Sequence, residues 1–178
     1  KKEIMQILKE KSRAKSQITF DEDFNVPDAK PDVGRLIQYK GRISMDDVHL
    51  ADGKGILRGD LQVDILYVGE ENGIISSITA KLPFEETLNL KDIVNGDKLC
   101  LKWEIEDLTI RLIHSRKLNI KALVTFYGAV DETEQVRLPV ALDATDISVR
   151  KKTVRFLGLT VHKKDTLRIK DEYTIASN

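Results

Sequence analysis

Apolar side chains recur at every second position along most of this chain, the period that puts them on one face of a β-strand. Ile18, Phe20, Phe24 and Val26 open the series, interrupted by Glu22. Pro27 and Pro31 then end the ladder, because proline has no N–H to donate and holds the preceding residue out of the helical region. Asp32 is placed to cap a short helical turn over Val33 to Ile37. Ile37, Tyr39, Ile43 and Met45 resume the alternation and lead to Ala51-Asp-Gly-Lys-Gly55, where Asp-Gly predicts a hairpin turn. Gly59, Leu61, Val63, Ile65 and Tyr67 share one face of the next strand, and Glu70-Glu-Asn-Gly73 turns the chain again. The following strand is expected over Ile74 to Leu82, closed by Pro83.

Beyond the Asn95-Gly-Asp97 turn, Leu99, Leu101, Trp103 and Ile105 are odd-numbered, whereas Leu108, Ile110 and Leu112 are even-numbered. The change of phase predicts a bulge or bend at Glu106-Asp107. After a turn at His114-Ser-Arg-Lys117, Leu118, Ile120, Ala122, Val124 and Phe126 form the cleanest alternation in the chain. Val136 to Leu142 and Val154 to Val161 read as further strands joined by acidic loops. Strands at this spacing, with Gly and Pro turns between them, predict a mainly β protein with few short helices: an antiparallel β-sandwich or barrel-like module.

The end of the chain echoes its beginning. Ile18, Phe20, Phe24 and Val26 fall opposite Leu167, Ile169, Tyr173 and Ile175 at a constant offset of 149, and Glu22-Asp23 falls opposite Asp171-Glu172. A fixed period marks repeat architecture. It predicts one β module over residues 1–162, with a leader over 1–15, a core over 16–130 and C-terminal strands over 134–162. Residues 163–178 would then begin a second copy. The leader has two readings, since Ile4, Ile7 and Leu8 have helical spacing while the repeat aligns Met5, Ile7 and Leu8 with Val154, Phe156 and Leu157. Two copies of one module should begin alike, which favours an extended leader.

Composition narrows the class. A chain of 178 residues buries roughly 70% of the surface its unfolded form exposes, and with 41% apolar and 33% charged residues it suits a globular core. No apolar run approaches the roughly 20 residues of a spanning helix. The 29 basic and 29 acidic side chains cancel, which argues against nucleic acid as a partner, because phosphate binding needs a basic surplus. The cationic concentrations at Lys9 to Lys15 and Arg150 to Arg155 are read as solvated faces. One cysteine, Cys100, excludes a disulfide within the module and fits a reducing compartment.

Chemistry-bearing constellations are scarce. His49, His114 and His162 are far apart and form no metal-ligand spacing, so no metal or cofactor is expected. Cys100 has no histidine near it in sequence, and the acidic pairs Asp46-Asp47, Glu70-Glu71, Glu85-Glu86 and Asp131-Glu132 point to opposite faces of their strands. No catalytic residue is assigned. Trp103 and Phe126 lie on clean alternating faces and are assigned to the core, whereas Tyr127 is out of phase and is the candidate exposed aromatic.

Asp23-Phe-Asn-Val-Pro-Asp-Ala-Lys-Pro-Asp32, followed by Gly41-Arg-Ile43, the Gly59-Asp-Leu-Gln-Val-Asp-Ile-Leu-Tyr-Val68 strand and Leu82-Pro-Phe84, resembles the SPOCS domain family over most of residues 15–130. SPOCS is the repeated module of clostridial spore-coat proteins of the SipL type, often followed by a LysM domain. The resemblance implies a non-catalytic assembly module acting in the mother-cell cytoplasm at the developing spore surface. Its implied partners are other spore-coat proteins or neighbouring copies, with self-association possible. Pro27, Asp28, Lys30, Pro31 and Asp32 are the candidate interaction or junction residues, with a plain strand-ending loop as the other reading of the same segment. A carbohydrate-binding β-sandwich using Tyr39, Tyr67, Trp103 and Tyr127 is the alternative function. The repeat further predicts that the natural sequence continues after Asn178 with Lys-Pro or a close variant, which the adjoining codons of its gene test directly.

Overall fold

The structure is a computed structural model that describes residues 2–71, 73–141, 148, 150, 152–155, 169 and 170. It divides into two compact units, residues 9–132 and residues 1–8 with 133–178. The expected strand over 154–161 lies outside the described residues except for Val154 and Arg155, which are not in a strand; residues 163–178 lie outside except for 169 and 170.

Six strands follow one another among the described residues: β1 Lys2–Asn25, β2 Val33–Ala51, β3 Lys54–Gly69, β4 Ile75–Asn89, β5 Leu99–His114 and β6 Lys117–Pro139. They form two three-stranded antiparallel sheets, ordered β1-β6-β5 and β2-β3-β4. The leader is extended, as the repeat predicted. The expected helical turn at Val33 is absent: Val33 is already paired with Gly69 at the start of β2, so there is no helix for Asp32 to cap. Pro83 does not close its strand either. It lies within β4, an edge strand, opposite Asp60 of β3, where a missing N–H toward the open side removes no ladder bond. The strand expected to start separately at Val136 is the continuation of β6, so the acidic residues Asp131, Glu132 and Glu134 are strand residues and not a loop.

Alternation builds the core of the larger unit. Leu57, Leu61, Val63, Ile65 and Tyr67 of β3 are fully buried or nearly so, as are Leu118, Ile120, Val124 and Phe126 of β6. These are the central strands of the two sheets, which explains why both alternate plainly in the sequence. Phe84 of β4 joins the sheets through its rings: its centroid is 5.3 Å from Phe126 and 6.2 Å from Phe20, the latter pair edge-to-face. Such geometry adds about 1 kcal/mol per pair beyond area burial.

Two of the edge strands, β2 and β5, are irregular. Register shifts leave Gly34, Ile37 and Asp46 as extra residues of β2, and Glu106 and Ile113 as extra residues of β5. The Glu106 bulge accounts for the change of phase read from the sequence. Bulging also exposes Ile37 and Ile113. Trp103 departs from its core assignment: it is opposite Phe126 on the core side, but its strand is the edge of the sheet and leaves the indole 37% exposed.

Two glycines illustrate the backbone's demands. In the β2–β3 turn, Asp52 and Gly53 have φ of 47° and 78°, the paired positive values of the hairpin turn that Asp-Gly predicts. Gly59 lies against β2, where an added Cβ would come within 2.2 Å of the Ser44 carbonyl oxygen and 3.2 Å of Phe84. We predict that Gly59→Ala destabilises the protein by about 3 kcal/mol because backbone must shift to admit the methyl. Gly73→Ala, with open space around a left-handed φ of 64°, should cost only about 1 kcal/mol. Denaturant midpoints compare the two.

Candidate interaction surface

The Pro27–Asp32 segment carries the chain from one sheet to the other, between β1 and β2. Such a crossing leaves backbone groups without ladder partners, and buried ones must find others. The β5–β6 turn supplies them. Val26 donates its N–H to the Arg116 carbonyl at 2.9 Å, and Val33 donates to the Ser115 carbonyl at 2.8 Å. The Arg116 guanidinium reaches back across the segment, donating to the Lys30 carbonyl at 2.7 Å and the Val26 carbonyl at 2.9 Å. It also bonds Asp32 at 2.9 Å and Asp28 at 3.3 Å. Ser115 Oγ donates to the other Asp32 oxygen, and the buried Tyr67 hydroxyl donates to the Pro31 carbonyl at 2.9 Å. Arginine suits this place because its planar fork presents several fixed donors at once.

All five candidate residues of the segment are therefore gathered at one end of the larger unit. Their parts differ. Pro31 and Asp32 are held against Tyr67, Ser115 and Arg116, whereas Pro27, Asp28 and Ala29 are exposed. Lys30 contributes its backbone, accepting from Arg116 and donating to the Pro27 carbonyl. Arg116, Ser115 and Tyr67 were not among the candidates read from the sequence. Nothing in the sequence joins Asp28 and Asp32 to an arginine more than eighty positions away.

Tyr127 is 38% exposed on the outer face of the β1-β6-β5 sheet. It lines an open groove of about 570 Å³ with Arg13, Lys15, Cys100, Lys102 and Asp131. The Lys15 ammonium stands 5.5 Å from the Tyr127 ring centroid, within cation–π range. The four aromatics named for sugar binding do not share a platform: Tyr67 is fully buried, Tyr39 belongs to the other sheet, and Trp103 and Tyr127 point to opposite faces of theirs. Cys100 is a free, exposed thiol. Among the described residues no group of His, Cys, Asp and Glu is arranged to hold a metal ion, and no helix is long and apolar enough to cross a membrane.

Polar ladders cover the same outer face. Asp21 bonds Lys121 at 2.8 Å and Asn119 at 2.9 Å, while Asp23 bonds Lys117 at 2.7 Å and Asn119 at 3.1 Å. The bonds from Lys121 and Lys117 lower the pKa of Asp21 and Asp23 respectively, with Asn119 adding to both. Asp97 is lowered by its bond from Lys11 at 2.8 Å and by the Val94 N–H, and Lys11 is raised by the same contact.

Residues 32–113 match the family model described as the SipL SPOCS domain. Over this part the chain is similar to the SPOCS domain family. The matched segment runs from the end of the crossing segment through β2, β3 and β4 to Ile113 near the end of β5, narrower than the resemblance read over 15–130. The family is a structural, sporulation-related one, not known for enzymatic activity. No curated protein and no solved structure matches the chain. Asp32 and Tyr67 fall inside the SPOCS match, while Pro27 to Pro31, Arg116 and Tyr127 fall outside it.

The lowered carboxylates set the sign of a pH effect. Their folded pKa values lie below the ordinary 3.8, so their contribution to stability is present above that value and is lost as pH falls through the folded values. Acid unfolding followed by circular dichroism should therefore be shallower in an Asp21→Asn, Asp23→Asn double variant than in the natural chain below the ordinary carboxylate pKa.

Proposed function

We propose that the chain is a non-catalytic assembly module of a spore-envelope protein. It acts in the mother-cell cytoplasm at the developing spore surface and contacts other coat proteins or neighbouring copies of the module through the Pro27–Asp32 segment. The SPOCS match supports the sporulation role. The observation that carries the choice of surface is the clasp itself. Arg116, Ser115 and Tyr67 bind the base of the segment, while its tip, Pro27-Asp28-Ala29, projects into solvent. A loop ordered in advance loses little conformational freedom when a partner binds it, which favours recognition over a slack loop of the same sequence.

The carbohydrate-binding alternative has weaker support, because its aromatics are dispersed and the ring of Tyr127 is already faced by Lys15. The test uses a fluorescent fusion of the full-length protein in sporulating cells. The natural sequence should ring the developing spore, and Pro27→Ala with Pro31→Ala, or Arg116→Ala, should disperse that ring while Cys100→Ser leaves it intact. A natural fusion spread evenly through the mother cell contradicts the spore-envelope role. A ring that survives all three loop substitutions contradicts the assignment to this segment.

A further inference from the structure

The four edge strands are not equally protected against pairing with another chain. β2 is interrupted at Gly34, Ile37 and Asp46, and β5 at Glu106 and Ile113. β1 carries Lys9, Glu10, Lys11, Arg13 and Lys15, then Asp21, Glu22 and Asp23. β4 differs. Its register with β3 is unbroken from Ile75 to Asn89, and Ile75-Ser-Ser-Ile-Thr-Ala-Lys-Leu82 contains one charge and neither proline nor glycine.

The direction of its backbone groups follows from its ends. Ile74 accepts the Gly69 N–H and Leu90 donates to the Gly53 carbonyl, so even-numbered residues bond toward β3. In an antiparallel pair the groups alternate, so those of Ile75, Ser77, Thr79 and Lys81 point away from the sheet. Pro83, which has no N–H, has the same parity and is consistent with it. No backbone hydrogen bond besides the β3 ladder occupies these four residues among the described ones.

We propose that this edge pairs with the same edge of a second copy, joining two β2-β3-β4 sheets across a two-fold axis at Ile78. Antiparallel pairing about that axis sets Ile75 opposite Lys81 of the second copy and Ser77 opposite its Thr79. Every outward group from Ile75 to Lys81 then has a partner, and Pro83 falls just beyond the ladder. The pairing brings no like charges together: Lys81 faces an isoleucine, and the two Lys81 side chains are separated by roughly 20 Å along the strands, more than two screening lengths at physiological salt. A two-fold contact uses the same patch on both copies and closes on itself, so it forms a dimer and not a fibre.

This inference deepens the protein-interaction reading, yet its readout is the mass of the isolated chain and needs no spore component. Sedimentation equilibrium should give twice the 20.2 kDa chain mass at high concentration, dissociating on dilution. Ser77→Pro removes an outward N–H as Pro83 already does, and should leave a folded monomer by circular dichroism. Ser77→Glu with Thr79→Glu sets like charges opposite one another and should also give a monomer; Ser77→Glu with Thr79→Lys sets opposite charges there and should restore the dimer. A natural chain that stays monomeric to millimolar concentration overturns the proposal. So does a dimer unaffected by Ser77→Pro and by the double glutamate, or a mass that grows without limit.

Discussion

The hydrogen bonds of Arg116 to the β1–β2 crossing are the constraint on which the larger unit's arrangement rests. A sandwich whose first two strands lie in different sheets must carry its chain from one layer to the other. Val26 and Val33, the residues at either side of that passage, are buried. Their N–H groups would be left without partners if the β5–β6 turn did not offer the carbonyls of Arg116 and Ser115. The guanidinium then satisfies carbonyls of the crossing itself. A buried donor or acceptor without a partner costs about 1–3 kcal/mol, so one short turn offsets several such penalties at a single place.

The same turn links sequence-distant parts of the fold. Tyr67, at the end of the central strand β3, holds Pro31, and Glu70 donates its N–H to the Asp32 carbonyl. Both sheets thus converge on one six-residue segment. Farther along, the rings of Phe20, Phe84 and Phe126 tie β1, β4 and β6 together, so the layers are joined by polar contacts at one end and apolar contacts within. The segment that passes from buried Val26 to fully exposed Asp28 within two residues is the one the proposed function uses.

Legibility in the sequence followed burial. β3 and β6 are central strands, so solvent and core impose a strict alternation, and Leu61 or Phe126 could be placed on the inner face from position alone. The bulge at Glu106 was legible because it moves the apolar set from odd to even numbers. Edge strands were harder to read. Trp103 obeys the inward phase but lies where the sheet stops, and Pro83 sits in a ladder position that tolerates a missing donor. Asp32 was read as a helix cap because a short polar residue before Val33 satisfies local rules equally well in a turn. What decides between them is the distant pairing of Val33 with Gly69, and pairings of that range leave no local mark. For the same reason Arg116 read only as part of a turn.

The central claim is that the crossing is locked by the β5–β6 turn, and native-state hydrogen exchange of two amides tests it directly. The account predicts that the N–H groups of Val26 and Val33 exchange as slowly as those of the buried β3 ladder, and that Arg116→Ala speeds both while leaving β3 unchanged. Exchange of both amides at the rate of an open loop in the natural chain would contradict it.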